Sequence, residues 1–157
     1  ILRMYGVYSR KEVCPFKQVH PKSKKRLDIV VAEGQLGCEK KMLLDVTITN
    51  PVNSYTRNHR VNQNTAANHA HALKINKYSV DAAAVNSVVK PMVWESTGRL
   101  HPETLALLKL VAGVDGSNVS LDAKNLFRYW MRMLSVTLQK SFARAFLKGR
   151  KRLMSNN

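Results

Sequence analysis

LDIVVAE at residues 27–33 and MLLDVTITN at residues 42–50 decide how this chain folds. Both runs are short, β-branched and apolar, the pattern of buried strands. Residues 34–41 between them contain Gly34 and Gly37 and read as a hairpin loop, and Pro51 stops the second run. Each run carries one aspartate. Alternate side chains of a strand share a face, so Asp28 sides with Val30 and Ala32, and Asp45 with Leu43, Thr47 and Thr49. A carboxylate in so apolar a run is costly unless it is paired or bound to a cation. Neighbouring strands lie about 4.8 Å apart, so two aspartates on one face of a hairpin can share a Mg²⁺ ion. Either aspartate alone is as readily explained by bonds to backbone groups or to Lys or Arg.

Working outward, residues 1–10 read as the end of a helix and residues 11–20 as a weakly alternating first strand. A basic connector follows at 21–26. Downstream, 58–79 has neither Pro nor Gly and reads as a helix. VVKPMVWES at 88–96 is a strand whose Pro91 suggests an edge or a bulge. Pro102 suits the first turn of a helix that continues through 103–112, and 113–118 is a loop. Residues 121–148 form one long helix with an apolar stripe of Leu126, Trp130, Met133, Leu134, Thr137, Leu138, Ser141, Phe142 and Ala145, read as core packing. The order of strand, strand, strand, helix, strand, helix, helix predicts an α/β (α+β) sandwich, a small mixed sheet flanked by helices with a long helix last.

The 157 residues suit one domain, expected over 1–148, with a basic and then polar tail at 149–157. Twenty-six Lys and Arg against 10 acids leave a formal charge of +16. A polyanion is the natural partner for such an excess: nucleic acid first, with an anionic membrane surface or an RNA-rich assembly as the alternatives. No stretch approaches the roughly 20 apolar residues that cross a bilayer. Ile1 in place of Met suggests a piece of a longer chain or a processed product. Cys14 and Cys38 belong to no Cys-x-x-Cys pair, which argues for free thiols in a reducing compartment and against a zinc site. His20, His59, His69, His71 and His101 show no metal-ligand spacing, although His71 lies one turn before Lys74.

The helix after Asp45 carries Lys74 and Lys77 on neighbouring faces, with Tyr78 directly after. Two carboxylates, a divalent ion and a lysine are the parts of phosphodiester hydrolysis: the ion polarises the phosphate and activates water, and the lysine offsets developing charge.

KKRLDIVV, then LLDVTITNP, then HALKINKY resembles the restriction-like endonuclease domain of certain non-LTR retrotransposons, a branch of the PD-(D/E)xK nuclease superfamily. VVKPMVWESTGRLHPETLALLKL and RMLSVTLQKSFARAFL extend the likeness, so that it covers roughly residues 26–147. The resemblance implies a restriction-endonuclease-like fold and Mg²⁺ (or Mn²⁺) held by Asp28, Asp45 and the backbone carbonyl of Val46. It implies catalytic help from Lys74 or Lys77, with Tyr78 as an accessory. Leu27 stands where the family has proline. Thr47 stands where the superfamily has its usual lysine, so a helix lysine takes that role. The superfamily's helix acid has no counterpart after Ile1; Glu12 on the first strand is a substitute ligand, and Glu95 a further acid near the site.

Lys22, Lys24, Lys25 and Arg26 run into Asp28 and suit phosphate contacts, as do Arg57 and Arg60 at the start of the following helix. Lys148, Arg150, Lys151 and Arg152 form a second cluster near the C-terminus. No recognition helix or zinc finger is visible, so little base-specific readout is expected. Three functions stay open. The first is a metal-dependent DNA endonuclease that nicks DNA and works beside an upstream reverse-transcriptase domain. The second is an inactive descendant that binds nucleic acid or serves as a structural module in a nucleoprotein assembly. The third is a structural subunit. The expected setting is intracellular and reducing, the nucleus with an organelle as the alternative.

Overall fold

The computed structural model describes residues 7–51 and 65–154. Strands β1 (Ser9–Val13), β2 (Leu27–Val31) and β3 (Lys41–Thr49) come first, with a 3₁₀ turn, Pro15–Gln18, between β1 and β2. Helix α1 (Thr65–Ala84), strand β4 (Ser87–Glu95), and helices α2 (Pro102–Val111) and α3 (Leu121–Met154) follow. The expected order of elements holds among the described residues.

The four strands lie in chain order, β1-β2-β3-β4. β1 pairs antiparallel with β2, and β2 antiparallel with β3. β4 runs parallel to β3, because α1 carries the chain back along the sheet before β4 begins. The sheet is therefore mixed, and β4 is an edge strand among the described residues, where its Pro91 is tolerated.

Alternation along the strands divides the core in two. Leu43 and Val89 pack under Tyr78 and Ala82 of α1, with Phe16 and Leu27 alongside. Met42, Leu44, Met92 and Trp94 face Leu107, Leu108 and Val111 of α2 and Leu138 of α3. The molecule is thus a sandwich, with α1 on one face of the sheet and α2 and α3 on the other. α1 presents Ala67, His71, Lys74, Tyr78 and Ala82 at spacings of three and four, one stripe toward the sheet. α2 begins in a complete cap: His101 Nδ1 accepts the Glu103 N–H at 3.2 Å, Pro102 follows the cap residue, and Glu103 sits in the first turn. It ends at Gly113, whose φ of 63° suits glycine.

Five expectations change. Ser9 and Arg10 belong to β1 rather than to a helix; residues 1–6 lie outside the described residues. The first strand ends at Val13, because Pro15 has no N–H to offer a ladder and opens the 3₁₀ turn. α1 runs on to Ala84, past the expected end at 79. α3 continues through Gly149 to Met154, so the expected tail begins inside the helix. The apolar stripe of α3 is also shifted. Phe127, Met131, Leu134 and Leu138 meet the core, whereas Leu126, Met133, Thr137, Ser141, Phe142 and Ala145 are exposed. Two stripes of equal periodicity run along this helix, and spacing alone does not tell which one meets the sheet.

Candidate metal and nucleic-acid site

Asp45 lies mid-way along β3, on the face covered by α1, and is 5% exposed. Lys74, one turn before the buried Tyr78, reaches down from α1 and places Nζ 2.6 Å from Asp45 Oδ2. The Thr47 hydroxyl donates to the same oxygen at 3.1 Å. Thr47 thus holds the aspartate from its own strand. The β2–β3 ladder pairs Ile29 with Leu44 and Val30 with Leu43. Continued by one step, that register sets Asp28 opposite Asp45. Asp28 is exposed and accepts the Val46 N–H through Oδ2 at 2.6 Å. In an extended residue N–H and C=O point to the same neighbouring strand, so the Val46 carbonyl is directed to the Asp28 side as well. The β1–β2 pairs Lys11–Ile29 and Val13–Leu27 bracket Glu12 and set its backbone across from Asp28. Glu12, Asp28 and Asp45 therefore occupy one row across three strands; the Glu12 side chain lies outside the described residues.

The two helix lysines part company. Lys74 is on Asp45. Lys77 is exposed, with Nζ 4.7 Å from the Tyr78 ring centre, and its carbonyl accepts from Lys25 Nζ at 3.4 Å. Tyr78 itself is buried against Phe16, ring centres 6.1 Å apart, and Lys74 Nζ lies 5.9 Å from its ring centre. The tyrosine is a packed platform beneath both lysines. Glu95 is buried at the end of β4, paired in register with Thr49, four residues and roughly 13 Å along the strand from Asp45. It accepts from the Thr97 hydroxyl at 3.4 Å and lies 4.0 Å from Arg99 Nε, which makes it part of a local turn.

The basic connector is anchored to α1. Lys25 Nζ lies 2.6 Å from Asp81 Oδ2, and His20 Nε2 lies 3.6 Å from Oδ1 of the same aspartate. Lys25 is thereby engaged in an ion pair, while Lys22, Lys24 and Arg26 are exposed. Arg57 and Arg60 lie outside the described residues, as do the side chains of Arg150, Lys151 and Arg152, whose backbone forms the last turns of α3.

One cluster had no signal in the sequence. His71 of α1 stacks on His101, ring centres 4.2 Å apart and planes within 5°. His71 Nε2 lies 3.4 Å from Glu103 Oε2, an ion-pair distance without hydrogen-bond geometry. Burial first, and then His71, push the His101 pKa below its ordinary value, while Glu103 pulls the other way. Thirty positions separate the two histidines, so only the packing of α1 beside the start of α2 brings them together.

Among the described residues no group of three or more His, Cys, Asp or Glu forms a ready-made metal cage. Mg²⁺ does not require one: it is commonly held by one or two carboxylates, waters and the substrate's own phosphate. Asp28 and Asp45 are the two carboxylates that the extended β2–β3 register brings across from each other. No helix of the described residues is long and apolar enough to cross a membrane. No family model, curated protein or solved structure matches this chain. What stands is the class: a mixed α/β sandwich built on a four-stranded mixed sheet, with a long last helix.

Proposed function

We propose that this chain is a metal-dependent DNA endonuclease domain of the PD-(D/E)xK type carried by retroelement proteins, one that nicks DNA with little base readout of its own. The observation that carries this reading is Lys74 Nζ at 2.6 Å from Asp45 Oδ2, beside Asp28 on the next strand. Asp28 and Asp45 would hold Mg²⁺ or Mn²⁺, with the Val46 carbonyl beside them and Glu12 next in the row. An ion bound there supplies a Lewis acid for the phosphate and a more acidic water. Thr47 fixes the Asp45 carboxylate. Lys74 orients the attacking water and offsets the negative charge that grows on the phosphate. Lys22, Lys24 and Arg26 hold flanking phosphates without reading bases.

A second reading has one observation in its favour: the Lys74 ammonium itself neutralises the Asp45 carboxylate. On that reading the domain binds nucleic acid, or builds a nucleoprotein assembly, and cuts nothing. A supercoiled-plasmid assay with Mg²⁺ or Mn²⁺ separates the two. We expect nicking by the wild type, a loss of about 100-fold or more in Asp45→Ala and Lys74→Met, and a loss of no more than about threefold in Lys77→Met. Salt-sensitive binding without nicking in either metal establishes the second reading instead. Loss in Lys77→Met but not in Lys74→Met would move the catalytic role to Lys77.

A further inference from the structure

Lys124, Arg128, Arg132, Lys140 and Arg144 are the cations of α3 between Leu121 and Leu147, and all five fall on one series with a step of four residues. Val136 is the one member of that series without a charge. Side chains four apart on a helix are neighbours, so the series forms one ridge. Each step rises about 6 Å and turns about 40°, and from Lys124 to Arg144 the ridge covers about 30 Å.

The core sets its direction. Phe127, Met131, Leu134 and Leu138 are the side of α3 that meets the sheet layer. At about 100° per residue, Arg128 lies on one flank of that stripe, Arg132 and Lys140 on the outer side, and Arg144 on the other flank. All five cations are exposed. None of them is in an ion pair among the described residues, where the paired acids are Asp45, Asp81, Glu95 and Glu103. Asp122 is the only acid in the sequence of the helix.

This pattern costs the free helix stability. Lys124 and Arg128, Arg128 and Arg132, and Lys140 and Arg144 are like charges four apart, which repel. Charge that serves solubility mixes both signs, whereas here one sign repeats and the repulsion stands. A polyanion laid along the ridge removes that repulsion and releases its own counterions. A lipid surface fits less well. A helix lying in a membrane interface keeps its cations off the face it buries, but Arg132 and Lys140 stand in the middle of the outer side. A DNA duplex is a stiff row of phosphates, so it meets a stiff helix with little loss of entropy. α3 packs on the face of the sheet opposite α1, and the sheet therefore separates the ridge from Asp28 and Asp45.

We propose that the outer side of α3 is a second nucleic-acid surface, on which Arg128, Arg132, Lys140 and Arg144 hold the phosphates of a DNA duplex without reading its bases. It takes the same class of partner as the nuclease reading but none of its chemistry: a chain that cuts nothing still binds there.

The test measures binding of a short DNA duplex, in EDTA, to the full chain with the connector cations Lys22, Lys24 and Arg26 already replaced by glutamine. Metal-dependent cutting is silent under these conditions, so the result is separate from that of the nicking assay. Salt-sensitive binding is expected to persist. Replacing Arg128, Arg132, Lys140 and Arg144 by glutamine as well keeps the helix propensity. It is expected to weaken binding by about tenfold or more and to reduce the slope of log affinity against log salt by up to about 3.6, roughly 0.9 for each phosphate released. The same substitutions are expected to raise the melting temperature of the free chain, because the repelling pairs are gone; a loss of binding then does not arise from misfolding. Glutamine at the exposed Lys11, Lys17, Lys40 and Lys109 removes as much charge and is expected to change the slope far less. The proposal is overturned by no duplex binding in the connector variant, by an equal loss in the Lys11, Lys17, Lys40 and Lys109 variant, or by a lowered melting temperature in the ridge variant. Loss of binding to phosphatidylserine vesicles with duplex binding unchanged overturns it in favour of a lipid surface.

Discussion

His101 performs two tasks with one ring. Its Nδ1 caps α2 by accepting the Glu103 N–H, and its face stacks on His71. Both tasks suit the neutral imidazole, since a protonated Nδ1 accepts nothing and a charged ring is poorly solvated there. Its pKa accordingly lies below 6.5 in the folded chain, chiefly through burial. The unfolded chain then takes up a proton before the folded one does. Stability from this residue is in full above about pH 6.5 and drains away as pH falls below that value toward the lower folded pKa. Thermal melts between about pH 7.5 and 5.5 should show a falling midpoint, and His101→Asn, which keeps a capping side chain but does not titrate, should flatten the fall. An unchanged slope in that variant would remove His101 from the account. The Asp45–Lys74 pair is the other costly arrangement: a carboxylate 5% exposed is stable there because a lysine, a threonine or a cation attends it.

At the scale of elements, β4 shows how an edge strand is kept from pairing with other chains. The Val93 carbonyl accepts the His101 N–H at 3.0 Å, and the Val93 N–H donates to Thr104 Oγ1 at 2.8 Å. The first turn of α2 therefore occupies the open edge of the strand where it would otherwise present a free donor and acceptor. Thr104 is buried, so Thr104→Val keeps the shape and removes only the acceptor. Unfolding by urea should show a loss of about 1–3 kcal/mol for Thr104→Val and much less for Thr104→Ser, which keeps the hydroxyl. Pro91 announced an edge strand. It did not announce the cover, because the hydroxyl that provides it comes from a residue thirteen positions later.

At the scale of the molecule, the charge of +16 is spread unevenly in purpose. Lys22, Lys24 and Arg26 stand exposed on a connector that Lys25 and His20 tie to Asp81 of α1. A held row of cations loses less entropy on meeting phosphates than a free one. On the nucleic-acid reading, replacing Lys22, Lys24 and Arg26 together by glutamine should weaken binding to DNA of any sequence. It should also reduce the slope of log affinity against log salt by up to about 2.7, roughly 0.9 for each phosphate that is no longer neutralised. Lys25→Gln should act differently, lowering the melting temperature through Asp81 more than it lowers the slope. Equal slopes in the wild type and the triple variant would place the phosphate-binding cations elsewhere.

Local signals determined much of this protein. The β-branched runs at 27–33 and 42–50 made adjacent strands, because apolar alternation and two loop glycines leave a hairpin as the simplest way to bury both. The same alternation put Asp28 and Asp45 on one face. The order of elements and the start of α2 at Pro102 were legible for the same reason: each depends on residues within a few positions of one another. Tertiary packing decided the rest. It chose Lys74 over Lys77 for Asp45, since one residue's rotation on α1 separates the sheet-facing stripe from the exposed one. It put Tyr78 into the core, took Lys25 into a pair with Asp81, and stacked His71 on His101. It also turned one stripe of α3 to the sheet and left the other outside. A periodicity of 3.6 residues records that a helix has an apolar face, but which of two such faces meets the core depends on how the layers dock.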